Sequence, residues 1–97
     1  MEVLFKDAGF EKLFLEVGGL ERVYGPIRAK LIRTRIKILK SVDGLEKLWR
    51  YPGHFHSLKG DRAGEWACSL DQPYRLIFKY EPESKVVIIE IVNYHGK

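Results

Sequence analysis

Glu65-Trp66-Ala67-Cys68-Ser69-Leu70-Asp71-Gln72-Pro73-Tyr74-Arg75-Leu76-Ile77-Phe78-Lys79-Tyr80 is the stretch from which the fold is read. Trp66, Cys68 and Leu70 alternate with Glu65, Ala67 and Ser69, the period of two that belongs to strands. Asp71-Gln72-Pro73 is a turn, so Tyr74 to Tyr80 folds back on the preceding strand as a hairpin. Arg75, Ile77 and Lys79 take one face of that second strand, and Tyr74, Leu76 and Phe78 the other. Glu81-Pro82-Glu83-Ser84 makes a further turn. Lys85 to Tyr94 follows as a long, largely β-branched strand whose near-continuous apolar character predicts a central or well-covered position.

Upstream the periodicity is helical. Glu2 to Phe5 reads as a short first strand, and Asp7 caps a helix through Leu15, with Gly18-Gly19 ending it. Pro26 opens a longer helix to about Lys40. Ile27, Leu31 and Ile38 form its apolar stripe, widened by Ile32, Ile36 and Leu39, with Lys30, Arg33, Lys37 and Lys40 on the opposite arc. Arg28 and Arg35 fall inside the apolar arc. They snorkel past the core, find acidic partners, or face a groove between helix and sheet. Asp43-Gly44 breaks the helix, and Leu45 to Tyr51 gives another helical turn before Pro52. Helices first and consecutive antiparallel strands afterwards make an α+β class.

The chain has 97 residues, one domain's worth (1–97), with 45% hydrophobic and 31% charged residues, enough for a single core. A lone cysteine, Cys68, rules out an internal disulfide and fits a reducing compartment. There is no apolar run of membrane-spanning length, and the acid-containing N-terminus lacks the pattern of a secretory signal. The expected location is cytoplasmic. The net charge of +4 is unevenly spread: residues 1–21 carry −3, residues 22–62 carry +8 and residues 63–97 carry −1. The basic centre is open to two readings, a footprint for a polyanion or a solvated helix face.

The chemistry-bearing residues cluster at two places. His54-Phe55-His56-Ser57-Leu58-Lys59-Gly60-Asp61 supplies two imidazoles beside a lysine, and Asn93-Tyr94-His95 gives an apolar strand a polar end. In a strand His54 and His56 share a face, as do Asn93 and His95, with Tyr94 on the opposite one. Cleaving RNA without a metal needs a base for the ribose 2′-hydroxyl, an acid for the departing 5′-oxygen, and positive charge for the phosphorane between them. Two histidines, or a histidine and a tyrosine, can divide the proton transfers, while Lys59 and Arg75 stabilise charge. Asn93 can orient a ring or hold a base edge but cannot act as a base.

Each residue also has a plainer reading. His54 is a loop or strand histidine, Lys59-Gly60-Asp61 an ordinary turn, and Trp66 a core residue rather than a base-stacking platform. Arg75 is a structural partner for Asp61, Glu65 or Glu90. His54, His56 and His95, with Cys68 or water, would suffice for a metal in number. The paired ligand spacing of structural zinc sites is missing and Cys68 reads as core, so neither metal nor cofactor is expected.

The run His56-Ser57-Leu58-Lys59-Gly60-Asp61-Arg62-Ala63-Gly64-Glu65-Trp66, then Tyr74-Arg75-Leu76-Ile77-Phe78, and finally Asn93-Tyr94-His95 resembles HigB. This is the host-inhibition toxin family of type II toxin–antitoxin modules, within the RelE superfamily. The resemblance covers nearly the whole chain. It implies a RelE-like fold, with a short N-terminal strand and helices packed on a curved antiparallel sheet that has a concave basic face.

The same resemblance implies a ribosome-dependent endoribonuclease, an mRNA interferase that cuts mRNA in the A site of the 70S ribosome and so inhibits translation. The products would carry a 2′,3′-cyclic phosphate or the derived 3′-phosphate, with a 5′-hydroxyl on the other fragment. The implied partner is a HigA-type helix-turn-helix antitoxin, through which alone the complex would contact operator DNA; no membrane is involved. Carried over residue by residue, the catalytic set is His56, Lys59, Arg75, Tyr94 and His95. Arg62, Asn93, His54, Arg33 and Lys37 are the expected RNA contacts.

Two departures from the family pattern stand out. Ser57 replaces the usual proline, and Asn93 stands where some members carry aspartate, which removes that carboxylate as a base. The alternative function is a non-catalytic RNA- or ribosome-binding module on the same scaffold. A third is an interaction protein whose basic surface only receives an acidic antitoxin.

Overall fold

The computed structural model describes residues 1–94; the expected site residue His95 lies outside the described residues, with Gly96 and Lys97. The elements, in chain order, are β1 (Glu2–Phe5), α1 (Ala8–Leu15), α2 (Gly19–Tyr24), α3 (Pro26–Ser41), a 3-10 turn (Leu45–Arg50), β2 (His56–Ser57), a second 3-10 turn (Gly60–Arg62), β3 (Glu65–Ser69), β4 (Tyr74–Glu81) and β5 (Lys85–Asn93). The strands form one five-stranded sheet in the order β1-β5-β4-β3-β2. The predicted hairpin pairs β3 with β4, Cys68 opposite Leu76. The α+β class holds, but the sheet is mixed: β1 runs parallel to β5, with Val3 opposite Val86. Three helices intervene between β1 and the hairpin, and that length allows a parallel return.

The core lies between the helices and one face of the sheet. Leu20, Ala29, Ile32, Ile36 and Leu39 pack with Cys68, Leu76, Phe78, Val86 and Ile88. The buried stripe of α3 is therefore centred on Ala29, Ile32, Ile36 and Leu39, whereas Ile27, expected within it, is 70% exposed. Trp66 lies on this side, stacked on Phe78 with ring centroids 6.3 Å apart. Of its two readings, the core one is correct.

Asp7 caps α1 as expected, its side chain accepting from the Gly9 amide at 2.8 Å. The helix, however, stops at Leu15 of its own accord, and Gly18-Gly19 starts α2 instead of ending α1. Gly18 is left-handed (φ +76°), and a Cβ on Gly19 would fall 2.4 Å from the Leu13 carbonyl oxygen. The glycine pair permits a sharp turn between two short helices packed at backbone contact.

The two arginines in the apolar arc of α3 behave differently. Arg28 grips Asp71 through Nε and Nη2 (2.9 and 3.1 Å), with its guanidinium 3.5 Å from the Tyr74 ring centroid. This clamp ties the start of α3 to the hairpin turn. Arg35 is buried, and its Nε donates to the Ser69 carbonyl at 2.8 Å. A carbonyl takes the place of the acidic partner.

Strand β5 contains one irregularity. Ile77 faces Glu90 but Phe78 faces Ile88, so Ile89 is an extra residue in the ladder. The bulge changes the phase of the strand. Below it Val86 and Ile88 point into the core; above it Glu90 and Val92 share the face of Ile77 and Arg75, away from the helices.

The Arg28 guanidinium holds the Asp71 carboxyl below its usual range. A depressed carboxyl pKa gives stability that is present above the unfolded value of about 4 and is lost as pH falls through the folded value. A partly buried bidentate pair of this kind contributes about 1 kcal/mol. Asp71→Asn should therefore lower the melting midpoint at pH 7 by about 4–8 °C, and the two proteins should converge as the solution is acidified below pH 3 or so. Equal midpoints at pH 7 would show that the clamp does not stabilise the fold. Burial pushes the Cys68 thiol up to about 12, so an aromatic disulfide reagent at pH 8 should modify it only as fast as the protein unfolds.

Candidate functional site

With one face of the sheet filled by helices, the opposite face is left for chemistry, and strand pairing sets out its residues in rows. His56 of β2 faces Ala67 of β3, which faces Ile77 of β4, which faces Glu90 of β5. In the next row Ser69, Arg75 and Val92 stand side by side, and on the other flank Glu65, Lys79 and Val87. Ala67 and Ile77 are fully buried yet stand outside the helix-side core. They form a smooth apolar floor between His56 and Glu90.

Arg75 emerges from this floor without a carboxylate partner among the described residues. Its Nη1 donates to its neighbour's carbonyl, Tyr74, at 3.1 Å and to Gln72 Oε1 at 3.3 Å. The guanidinium carbon lies 5.2 Å from the Tyr94 ring centroid. The turn holds Tyr94 in place, its amide donating to the Pro73 carbonyl at 3.1 Å. Asn93 pairs with Tyr74, on the other face of the sheet. Of the expected terminal group, Tyr94 is thus brought to Arg75 and Asn93 is turned from it.

His54 and His56 do not extend together along a strand. Strand β2 has only two residues, and His54 is left-handed with φ 50°. The rings nevertheless meet, centroids 4.6 Å apart, and His56 Nδ1 is 2.8 Å from the His54 carbonyl oxygen. A carbonyl can only accept, so the Nδ1 nitrogen carries the proton and donates it. The neutral ring then presents its lone pair on Nε2. Lys59 is exposed at the start of the second 3-10 turn.

The remaining expected RNA contacts lie elsewhere or are occupied. Arg62 donates to Glu65 Oε1 at 2.6 Å and Glu90 Oε2 at 2.5 Å; these carboxylates, Glu90 first, hold it still more firmly protonated. Two acids on one arginine neutralise it, so Arg62 brings no spare positive charge to that flank of the open face. Arg33 binds both carboxylate oxygens of Glu21 and the Phe14 carbonyl, which joins α3 to α2 and α1. Lys37 is exposed on the same helix. Neither is brought to His56 or Arg75, because α3 covers the other side of the sheet.

Arg22, Arg28 and Lys47 are likewise paired with acids. Much of the basic centre is therefore structural, and the solvated-helix reading accounts for Lys30, Lys37 and Lys40. Trp49 was not singled out in the sequence. It is 78% exposed, with the Arg50 guanidinium carbon 5.6 Å from its ring centroid, and its lack of alternating apolar neighbours was the available signal.

Among the described residues no group of three His, Cys, Asp or Glu side chains is placed to hold a metal ion. None of their helices is long and apolar enough to cross a membrane.

No protein-family model matches the sequence, and no curated protein sequence matches it. Solved structures do. A YoeB/ParE toxin from Agrobacterium tumefaciens superposes with a TM-score of 0.69 at 16% identity, over 97% of this chain and 99% of that one. The YoeB dimer from Staphylococcus aureus gives 0.65 at 18%, over 98% and 97%, and the YoeB–YefM complex from the same organism gives 0.63 at 17%, over 97% of each. These are toxins of toxin–antitoxin pairs, named YoeB or ParE rather than HigB. What the likeness establishes for this chain is its architecture: the RelE/YoeB-like toxin fold, from end to end of the described residues.

Proposed function

We propose that this protein is the toxin of a type II toxin–antitoxin module, acting in the cytoplasm as an mRNA endoribonuclease of the HigB kind on the ribosome. The single observation that carries the reading is the pairing on one open face of Arg75, an arginine with no carboxylate partner among the described residues, with the Tyr94 ring at 5.2 Å, on the face that also carries His56 with its Nδ1 committed and Nε2 left for proton transfer. A phosphodiester seated there meets the Arg75 guanidinium at the charge that develops on the phosphorane. The Nε2 of His56 exchanges a proton with the ribose 2′-hydroxyl or the leaving 5′-oxygen. Lys59 adds positive charge, and His95 takes the other proton transfer. Tyr94 orients Arg75 and offers a ring for a base to stack upon.

The set is incomplete for catalysis on free RNA, since Arg62 is spent on Glu65 and Glu90. Such a face favours a substrate already positioned by another particle, here mRNA in the ribosomal A site. A HigA-type helix-turn-helix antitoxin is the partner that would neutralise the protein, and the operator contacts would be the antitoxin's.

In a translating extract, His56→Gln should slow mRNA cleavage on the order of 10²-fold or more, and Arg75→Ala about 10²–10³-fold, with thermal midpoints close to the parent's. Primer extension on a translated message reads both, and induced expression should lose its growth arrest in parallel. If both variants cleave at the parental rate, the assigned site is wrong. A second reading draws on Asn93, which stands where some HigB members carry a carboxylate and faces away from Arg75. This is a ribosome-binding module without chemistry, and parental protein that stalls translation while leaving every message intact would select it.

A further inference from the structure

The proton on His56 Nδ1 is not the solution preference, because a neutral imidazole in water favours the Nε2–H tautomer. The fold inverts that preference with one backbone carbonyl, that of His54, and the carbonyl is aimed by an unusual piece of chain. His54 is left-handed (φ 50°) and Gly53 before it has φ +122°, a conformation open essentially to glycine. Something must hold two such residues in place. Strand β2 itself does not, since it begins only at His56.

The support comes from α3. A Cβ built on Gly53 would lie 2.7 Å from Arg35 Nε and 3.0 Å from its Cδ, so the Gly53 backbone rests directly on the arginine stem. Arg35 Nε donates to the Ser69 carbonyl at 2.8 Å. The Ser69 amide in turn donates to the Gly53 carbonyl at 2.7 Å. Both backbone groups of Ser69 are therefore engaged, one by the buried arginine and one by the strained loop, where β2 is too short to pair with them. The ring of His54 then covers that of His56, and its carbonyl takes the Nδ1 proton. Arg35, Ser69, Gly53, His54 and His56 form one continuous line from the buried helix to the open face.

We propose that Arg35 is a positioning residue: by seating Gly53 and anchoring Ser69, it holds the His54 carbonyl where His56 must carry its proton on Nδ1 and present Nε2 to the substrate. The consequence for activity rests on the reading of His56 as a proton-transfer group, but the tautomer itself does not. Arg35 reaches no substrate, and its effect passes through the loop. Holding a histidine in its working tautomer is worth orders of magnitude in rate where the orienting group is a carboxylate.

The test is long-range ¹H–¹⁵N correlation of the imidazole rings at about pH 9, well above the ordinary histidine value of about 6.5. In the parent protein His56 should show a pyrrole-type Nδ1 and a pyridine-type Nε2. His54→Asn removes the ring but keeps the carbonyl in a residue that tolerates the left-handed region, and it should keep that pattern. Arg35→Met retains the stem without the donor and should move His56 towards the Nε2–H form, and Arg35→Lys, able to reach the Ser69 carbonyl, should restore it. Gly53→Ala forces the loop off the stem and should act like Arg35→Met, so the question stays answerable if one of the two does not fold.

In the cleavage assay Arg35→Met should lose at least about tenfold in kcat with KM unchanged, and Arg35→Lys should recover it. A parent His56 protonated on Nε2, or a tautomer identical in parent and every folded Arg35→Met or Gly53→Ala variant, overturns the inference. His56→Gln cleaving at the parental rate would instead overturn the nuclease reading and leave the tautomer result intact.

Discussion

Ile32, Ile36 and Leu39 of α3 close one face of the sheet over Leu76, Phe78 and Ile88, and every other property of the molecule follows from that contact. Strand side chains alternate, so filling one face commits the intervening residues to the other. His56, Arg75 and Glu90 are displayed because Cys68, Leu76 and Ile88 are not. Burial of apolar side chains, at about 25 cal/mol per Å², is strong enough to impose this division on charged residues with no say in it. Arg28 and Arg35 arise on the buried side of α3, and both are accommodated by the hairpin: one by the Asp71 carboxylate with the Tyr74 ring, the other by a single strand carbonyl.

The hairpin, the long helix and the α+β order were legible because each rests on a local period and a local breaker: alternation from Glu65 to Leu70, Pro26 at a helix start, Asp71 to Pro73 at a turn. What escaped depends on partners distant in sequence. The parallel pairing of β1 with β5 leaves no local trace in Glu2 to Phe5. The role of Gly18-Gly19 was misjudged because a glycine pair can stop one helix or let two helices meet, and only the approach of Gly19 to Leu13 decides which. His54 was left between loop and strand because period two cannot register a left-handed backbone.

The site divides in the same way. Alternation put Arg75 with Ile77 and Lys79 on one face of their strand, and it is the register of β2, β3 and β4 that sets His56 on the same side. Arg33 and Lys37 were grouped with them by charge, which says nothing of which side of a sheet a helix covers. Arg62 was counted as a free cation although Glu65 and Glu90 were both visible in the sequence, because a bond across 28 positions needs the bulge at Ile89 to bring Glu90 onto its face. Net charge along a chain is a poor map of net charge on a surface when arginines are the struts between layers.

That bulge separates two kinds of change in the chain. Which of residues 90 to 94 face the solvent side is decided by where β5 carries its extra residue, so it has the character of a reading frame. Exchange of one β-branched side chain for another at Ile89 leaves the frame alone, and so does loss of this extra residue, since Glu90 would then follow Ile88 in plain alternation with Val92 still outward and Ile91 inward. The display of Tyr94 beside Arg75 is thus insulated from drift in amino-acid identity and exposed to any change that draws Ile89 into regular pairing, which would turn Glu90 and Val92 inward. Register against β4, more than length or composition, is what this strand must keep.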